Sequence, residues 1–70
     1  MEGASTTTLV ERWSETKGDL EFRAFQDGDQ FVLVVRRIVD GRPVGYAYWH
    51  DHPTLQAAID DVPNAVRYAS

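Results

Sequence analysis

Turn signals spaced along the middle of the chain constrain its fold more than any other feature of the sequence. Asp27-Gly28 and Asp40-Gly41 are strong hairpin signals because aspartate and glycine both tolerate a positive φ, and the Lys-Gly-Asp of 17–19 is a weaker signal. The segments that they separate, 20–25, 30–39 and 44–50, are rich in valine, phenylalanine, tyrosine and tryptophan. We therefore predict three consecutive antiparallel strands.

The N-terminal part of the chain is less strongly patterned. Segment 7–13 is predicted as a fourth strand from its threonine, valine and tryptophan content, although Leu9 and Trp13 are also spaced as one helical turn. Residues 1–6 carry no periodic pattern, and we expect them to form a frayed terminus.

The hydrophobic period changes after the last strand. Apolar residues then recur at the spacing of one helix face, at Leu55, Ala58, Ile59 and Val62. We expect Asp51 or His52 to cap this helix, Pro53 to lie in its first turn and Pro63 to end it, with a short extended piece over 64–70. A helix this short is unstable alone in water, so it must pack on the sheet.

These elements predict an α+β fold: an antiparallel meander of three to four strands with one C-terminal helix packed on one face. The 70 residues suffice for a single small domain. Side chains alternate along a strand, so hairpin loops of two or four residues sort them onto the same two faces. The more apolar face, assigned to the core, holds Leu20, Phe22, Ala24, Phe31, Leu33, Val35, Val39, Val44, Tyr46 and Tyr48, with Arg37 near its end. The second face holds Glu21, Arg23, Phe25, Val32, Val34, Arg36, Ile38, Gly45, Ala47 and Trp49.

The second face supplies the candidate binding site. One short helix cannot cover both faces, so arginines and aromatic side chains are left there, namely Arg23, Phe25, Arg36 and Trp49. Such residues are enriched among protein-binding hot spots, and a protein interface, a self-interface included, is the favoured interpretation. Alternatively, Glu21 pairs with an arginine while the N-terminal segment or a second subunit covers the aromatic side chains.

Catalysis is not expected. The chain has no cysteine, its serines (Ser5, Ser14 and Ser70) fall in termini or a turn, and its five glycines are isolated rather than gathered in a phosphate-binding loop. His50 and His52 are spaced like metal ligands, but further ligands would have to come from scattered residues such as Asp29 or Asp60. We expect a strand end leading into a helix cap there, with no metal and no cofactor.

Charge bears on the class of partner. The net charge of −4 is opposite to that of most nucleic-acid-binding domains, so binding of DNA or RNA by the arginine and aromatic face is the alternative function. A three-stranded meander with Asp-Gly turns followed by a helix resembles the arm-site DNA-binding domains of phage integrases, but the basic strand residues of that family are sparse here.

A secondary acidic surface is expected at Asp27, Asp29, Asp60 and Asp61, which would attract a basic, nucleic-acid-binding protein.

The expected function is therefore non-catalytic binding of another protein. Size, charge and the lack of catalytic motifs are typical of a small intracellular inhibitor or adaptor, including phage-encoded inhibitors of host defence such as anti-CRISPR proteins. A homodimer is the simplest form of such an interface. The N-terminus has neither the basic nor the apolar region of a secretory signal, and no apolar run approaches a membrane span, so we expect a cytoplasmic protein.

Overall fold

The structure, a computed structural model, describes residues 9–69 of the chain. One antiparallel sheet has the strand order β1-β2-β3-β4, with the strands at Val10–Lys17, Leu20–Asp27, Gln30–Val39 and Arg42–His52. Two consecutive helices follow, α1 (Leu55–Asp60) and α2 (Val62–Ala69), and both contact the sheet. The predicted α+β meander with a C-terminal helical segment is confirmed.

The hairpin turns are tight, as the Asp-Gly signals predict. Val39 pairs with Arg42 across a loop in which Asp40 and Gly41 have φ angles of 54° and 79°, as a type I′ turn requires. In the preceding hairpin Asp27 pairs with Gln30, so the loop is 28–29, one residue later than predicted. That shift changes the register of β2 against β3 by two residues and leaves the side chains of these two strands on their predicted faces.

The first strand is confirmed with different bounds. The predicted strand over 7–13 is present from Val10 and continues to Lys17, because it pairs with β2 along its whole length. An extra residue at Arg12 interrupts the register between Glu11 and Trp13. Thr7 and Thr8, together with the predicted frayed segment 1–6, lie outside the described residues.

The helical segment begins and ends later than predicted. Asp51 and His52 do not cap it, because β4 continues through His52; the hydroxyl of Thr54 instead accepts a bond of 3.1 Å from the backbone N–H of Ala57. Pro63 does not end it either. It occupies the second position of α2, where its missing N–H needs no helical partner, and residues 64–69 are helical rather than extended.

The core lies between the helices and one sheet face. Phe22, Leu33 and Val35 are completely buried, and they pack with small or apolar side chains at Ala24, Ala58, Val62 and Ala65. At the end of this face Arg37 donates a hydrogen bond of 2.6 Å to the carbonyl oxygen of Ala69, in the last turn of α2. The assignment of the more apolar face to the core is confirmed for its central residues.

Three residues assigned to the core are exposed instead. Val39, Val44 and Tyr46 are 47%, 45% and 63% exposed. Since α2 ends beside Arg37, the outer part of the β3–β4 hairpin extends past the helices and leaves both valines uncovered.

Tyr46 is exposed for a different reason, because it lies on the opposite face. Val35 pairs with Tyr48 but Arg36 pairs with Tyr46, and Arg37 pairs with Val44, so β4 contains an extra residue at Ala47 and another at Gly45. Each extra residue is a β-bulge that shifts the alternation by one position. Tyr46 therefore shares its face with Arg36.

Neither helix in residues 9–69 has the length and apolar character needed to cross a membrane.

Candidate functional site

The four predicted interface residues lie together on the face opposite the helices. Arg23 on β2 and Trp49 on β4 pair with Val34 of β3 from its two sides, which places the three side chains in one row. Phe25 and Arg36 occupy neighbouring rows of the same face. We call this surface the helix-free face, comprising Glu11, Glu21, Arg23, Phe25, Val32, Val34, Arg36, Tyr46 and Trp49.

Its charged residues form a chain of ion pairs across three strands. Glu21 accepts from both arginines, at 3.2 Å from Nη2 of Arg23 and 2.8 Å from Nη2 of Arg36. Arg23 also reaches Glu11 on β1, where Nη1 and Oε1 are 3.0 Å apart. Two guanidinium groups are thus matched by two carboxylates, so the face carries little net charge.

The electrostatics favour the ionised form of Glu21. Partial burial raises its pKa, but the hydrogen bonds and positive charges of Arg36 and Arg23 outweigh this effect and lower the pKa below the ordinary value. Glu21 is therefore held as a carboxylate between the two arginines.

The apolar residues of this face divide into a buried centre and an exposed margin. Val32 and Val34, on the inner strand β3, are only 5% exposed. Tyr46 and Trp49, on the edge strand β4, are 63% and 55% exposed and contact each other edge to face, with ring centroids 5.3 Å apart. On the helix-free face, the exposed apolar surface is therefore concentrated in the aromatic pair of Tyr46 and Trp49.

Strict alternation misses Tyr46 as a member of this site. Its signal in the sequence is Gly45, which interrupts an otherwise β-rich segment. The backbone of Gly45 has a φ of 55°, a conformation that residues with a side chain rarely adopt. This conformation accompanies the bulge that turns Tyr46 toward Trp49.

The predicted acidic surface is only partly assembled. Asp27 and Asp29 are exposed at the β2–β3 turn, and Asp60 is exposed at the end of α1. Asp61 differs from these three, because its side chain is 15% exposed and its carboxylate is occupied by hydrogen bonds.

Asp61 links β4 to the start of α2. Its Oδ2 accepts from the hydroxyl of Tyr48 at 2.6 Å and lies 3.0 Å from Nε2 of His52, while Oδ1 accepts from the amide of Asn64 at 3.2 Å. Burial raises the pKa of Asp61, but the bonds from Tyr48, Asn64 and His52 outweigh it and lower the pKa. Burial and the bond to Asp61 together raise the pKa of Tyr48, so its hydroxyl stays a donor.

The histidines also lie beside this carboxylate. His50 and His52 share one face of β4, with ring centroids 5.2 Å apart, and His50 stacks on Tyr48. The possible ligand atoms of His50, His52 and Asp61 all lie within 4.8 Å of one another. The carboxylate beside the histidines is thus that of Asp61, whereas Asp29 and Asp60, the examples of scattered ligands named from the sequence, are not part of this cluster.

An open depression of about 500 Å³ adjoins both groups of residues. It runs around the edge strand β4 and is lined by Tyr46, Ala47, Tyr48, Trp49, His50, Asn64 and Tyr68. Its aromatic walls suit apolar contacts, and its His50 end offers an imidazole.

The fold and these surfaces define the chain as a four-stranded antiparallel meander with a C-terminal helical segment and an aromatic patch on its edge strand. Comparison with protein-family models, curated proteins and solved structures finds no match.

Proposed function

We propose that this domain is a non-catalytic protein-binding domain that engages its partner through the helix-free face, with Tyr46 and Trp49 as the apolar anchors. The observation that carries this proposal is the exposure of two large aromatic side chains in contact with each other, at 63% and 55%. Adjacent exposed aromatic residues on a small domain typically mark an interaction site. Tryptophan and tyrosine are also among the residues most enriched at binding hot spots.

The surroundings of the pair support binding of a protein surface. Both side chains are anchored on a β-strand and restrain each other, so little conformational entropy is lost when a partner covers them. The ion pairs among Glu11, Glu21, Arg23 and Arg36 lie beside the pair and supply the polar rim found around apolar interface centres.

The same ion pairs disfavour the nucleic-acid alternative. Binding to a phosphate backbone requires cations that can replace counterions along it. Arg23 and Arg36 are already paired with carboxylates, and a phosphate would have to displace Glu21 from both. The net charge of −4 adds long-range repulsion.

Charge suggests the kind of protein that is bound. Asp27, Asp29 and Asp60 are exposed, and together with the net charge they would steer a basic partner toward the domain. A nucleic-acid-binding protein inside the cell is such a partner. The domain would then act as an inhibitor or adaptor, and phage-encoded inhibitors of host defence, anti-CRISPR proteins among them, are one class with this character.

The test compares two aromatic deletions on opposite sides of the sheet. The double variant Tyr46→Ala/Trp49→Ala removes the patch, whereas Tyr68→Ala removes a side chain on α2 that is 75% exposed and contacts Tyr48. Sedimentation of all three proteins measures self-association first. Each protein then serves as bait in a lysate of the source organism, and the affinity of any captured protein is measured with purified components.

We expect the double variant to stay folded and to weaken binding by about 2 kcal/mol or more, roughly thirtyfold in Kd. Tyr68→Ala should bind like the parent. If the double variant binds every partner as tightly as the parent does, or if only Tyr68→Ala loses binding, the helix-free face is not the interface.

A further inference from the structure

The cluster of His50, His52 and Asp61 is distinct from the helix-free face, since it lies on the helix side of β4. We propose that these three side chains form a binding site for a divalent transition metal of the Zn²⁺ type. Their possible ligand atoms lie within 4.8 Å of one another, and Nε2 of His52 is 3.0 Å from Oδ2 of Asp61. This inference does not depend on the proposed function.

The donor set matches the chemistry of such metals. Two imidazole nitrogens and one carboxylate oxygen are common ligands of Zn²⁺, and imidazole distinguishes it from Ca²⁺ and Mg²⁺, which prefer oxygen. The chain contains two histidines and no cysteine, so these are its only imidazoles and it has no thiolate to compete with them.

The ligands are oriented by second contacts, as in established metal sites. The hydroxyl of Tyr48 and the amide of Asn64 both donate to the carboxylate of Asp61 and fix its orientation. Nδ1 of His50 lies 3.2 Å from the carbonyl oxygen of Asp51, and donation to that oxygen leaves the lone pair on Nε2 for a metal. Contacts of this kind position ligating side chains and tune their basicity.

Two of the three proposed ligands are largely buried and the third is exposed, which leaves a path for a metal to enter. The side chains of His52 and Asp61 are 13% and 15% exposed, whereas His50 is exposed at the rim of the aromatic depression. A metal would therefore retain an open position toward solvent, as sites with three protein ligands do.

Only a small adjustment closes the site. Bond lengths near 2.1 Å in a tetrahedral site place ligand atoms about 3.4 Å apart. His52 Nε2 and Asp61 Oδ2 are 3.0 Å apart, already close to this value, and a metal would replace the hydrogen bond between them and release its proton to solvent. The possible ligand atoms of the cluster all lie within 4.8 Å of one another. A small shift of the exposed His50 ring, within the reach of its contact with the carbonyl oxygen of Asp51, can supply the difference without moving the core.

The test uses the full chain without an affinity tag, so that no other histidine is present. Zn²⁺ is titrated by calorimetry, and Tm is measured with Zn²⁺, with Mg²⁺ and with a chelator. His50→Gln removes one ligand from an exposed position and leaves the bonds between Asp61, Tyr48 and His52 in place. Asp29→Asn removes a possible oxygen ligand at the remote β2–β3 turn and is the control for binding to scattered surface carboxylates.

We expect one Zn²⁺ per parent chain, a rise in Tm with Zn²⁺ but not with Mg²⁺, and reversal by the chelator. His50→Gln should keep the Tm of the metal-free parent but bind Zn²⁺ at least about tenfold more weakly. Asp29→Asn should bind like the parent. Absence of saturable Zn²⁺ binding by the parent, or undiminished binding by His50→Gln, overturns the proposal.

Both imidazole rings provide a second, independent readout. In NMR spectra of the parent, the ring resonances of His50 and His52 should shift together as Zn²⁺ is added. A shift of neither ring, or of His50 alone, contradicts a shared site, and neither result depends on whether a variant folds.

Discussion

Leu33 is a completely buried side chain at the centre of the inner strand β3. Leu33→Ala removes this side chain from among Phe22, Val35 and Ala58, and the backbone of a paired inner strand cannot collapse to fill the space. We expect the free energy of unfolding to fall by about 2–5 kcal/mol, measured by urea denaturation.

Val39→Ala is the matched control at the residue scale. Val39 is on the same strand and the same face but is 47% exposed, so its truncation should cost far less than that of Leu33. Equal losses for the two variants would mean that the core does not centre on Leu33.

Single residues in this chain are predictable where the alternation along a strand is unbroken. Phe22 follows from the alternation of Leu20, Phe22 and Ala24, which needs no knowledge of distant partners. Leu33 lies in a continuous apolar run, and its assignment to the core face follows from the hairpin pairing with β2. Asp61 shows the limit of this reasoning. Its position beside Tyr48 and His52 depends on how α1 returns over β4, and no local pattern encodes that return.

Gly45 is the residue on which the shape of β4 depends. Its φ of 55° lies in the left-handed region, and a Cβ added there would meet no atom within 4 Å. A substitution therefore strains the backbone without creating a clash. Gly45→Ala should destabilise the domain by about 1–2 kcal/mol in urea denaturation, whereas Gly45→Asn should cost less because asparagine tolerates this conformation better.

The same variants report on the aromatic patch. If the bulge at Gly45 positions Tyr46, then Gly45→Ala should also weaken the near-UV circular dichroism that arises from the contact between Tyr46 and Trp49. Gly45→Ala with unchanged stability and an unchanged spectrum would show that the bulge does not require glycine.

The elements themselves were more predictable than their boundaries. Gly18, Gly28 and Gly41 each have a positive φ in a tight turn, so the meander followed from local chemistry, although only the β3–β4 turn is formed by an Asp-Gly pair. Pro63 was misleading because proline ends a helix only when it falls in the interior, and here a second helix begins at Val62. Thr54 caps α1 because β4 runs on through His52, which depends on pairing with Phe31.

At the scale of the molecule, one layer of helices covers part of one sheet face. Among the described residues, the edge of β4 and the outer β3–β4 hairpin are therefore left exposed. Composition could predict that some apolar surface remains uncovered. It could not predict that the two bulges in β4 bring two of the exposed aromatic rings, those of Tyr46 and Trp49, into contact.

The pH dependence of stability tests the two clusters that tie the molecule together. Glu21 binds the arginines of β2 and β3, and Asp61 connects β4 to α2. Burial raises the pKa of both carboxyl groups, but the surrounding hydrogen-bond donors and positive charges outweigh burial and lower both pKa values. The unfolded chain therefore binds more protons than the folded one in acid, so the free energy of unfolding increases with pH there.

This stabilisation should be fully present above pH 4.5, the ordinary pKa of glutamate, and lost as the pH falls through the lowered folded values. Urea denaturation from neutral pH to about pH 2 measures the curve. The double variant Glu21→Gln/Asp61→Asn should be less stable than the parent at neutral pH. Its free energy of unfolding should also change less with pH in acid, because its two uncharged amides do not titrate. Glu15→Gln, an exposed change on β1, should retain the parent's slope. A double variant with the parent's full acid slope would place the pH-dependent stability elsewhere in the chain.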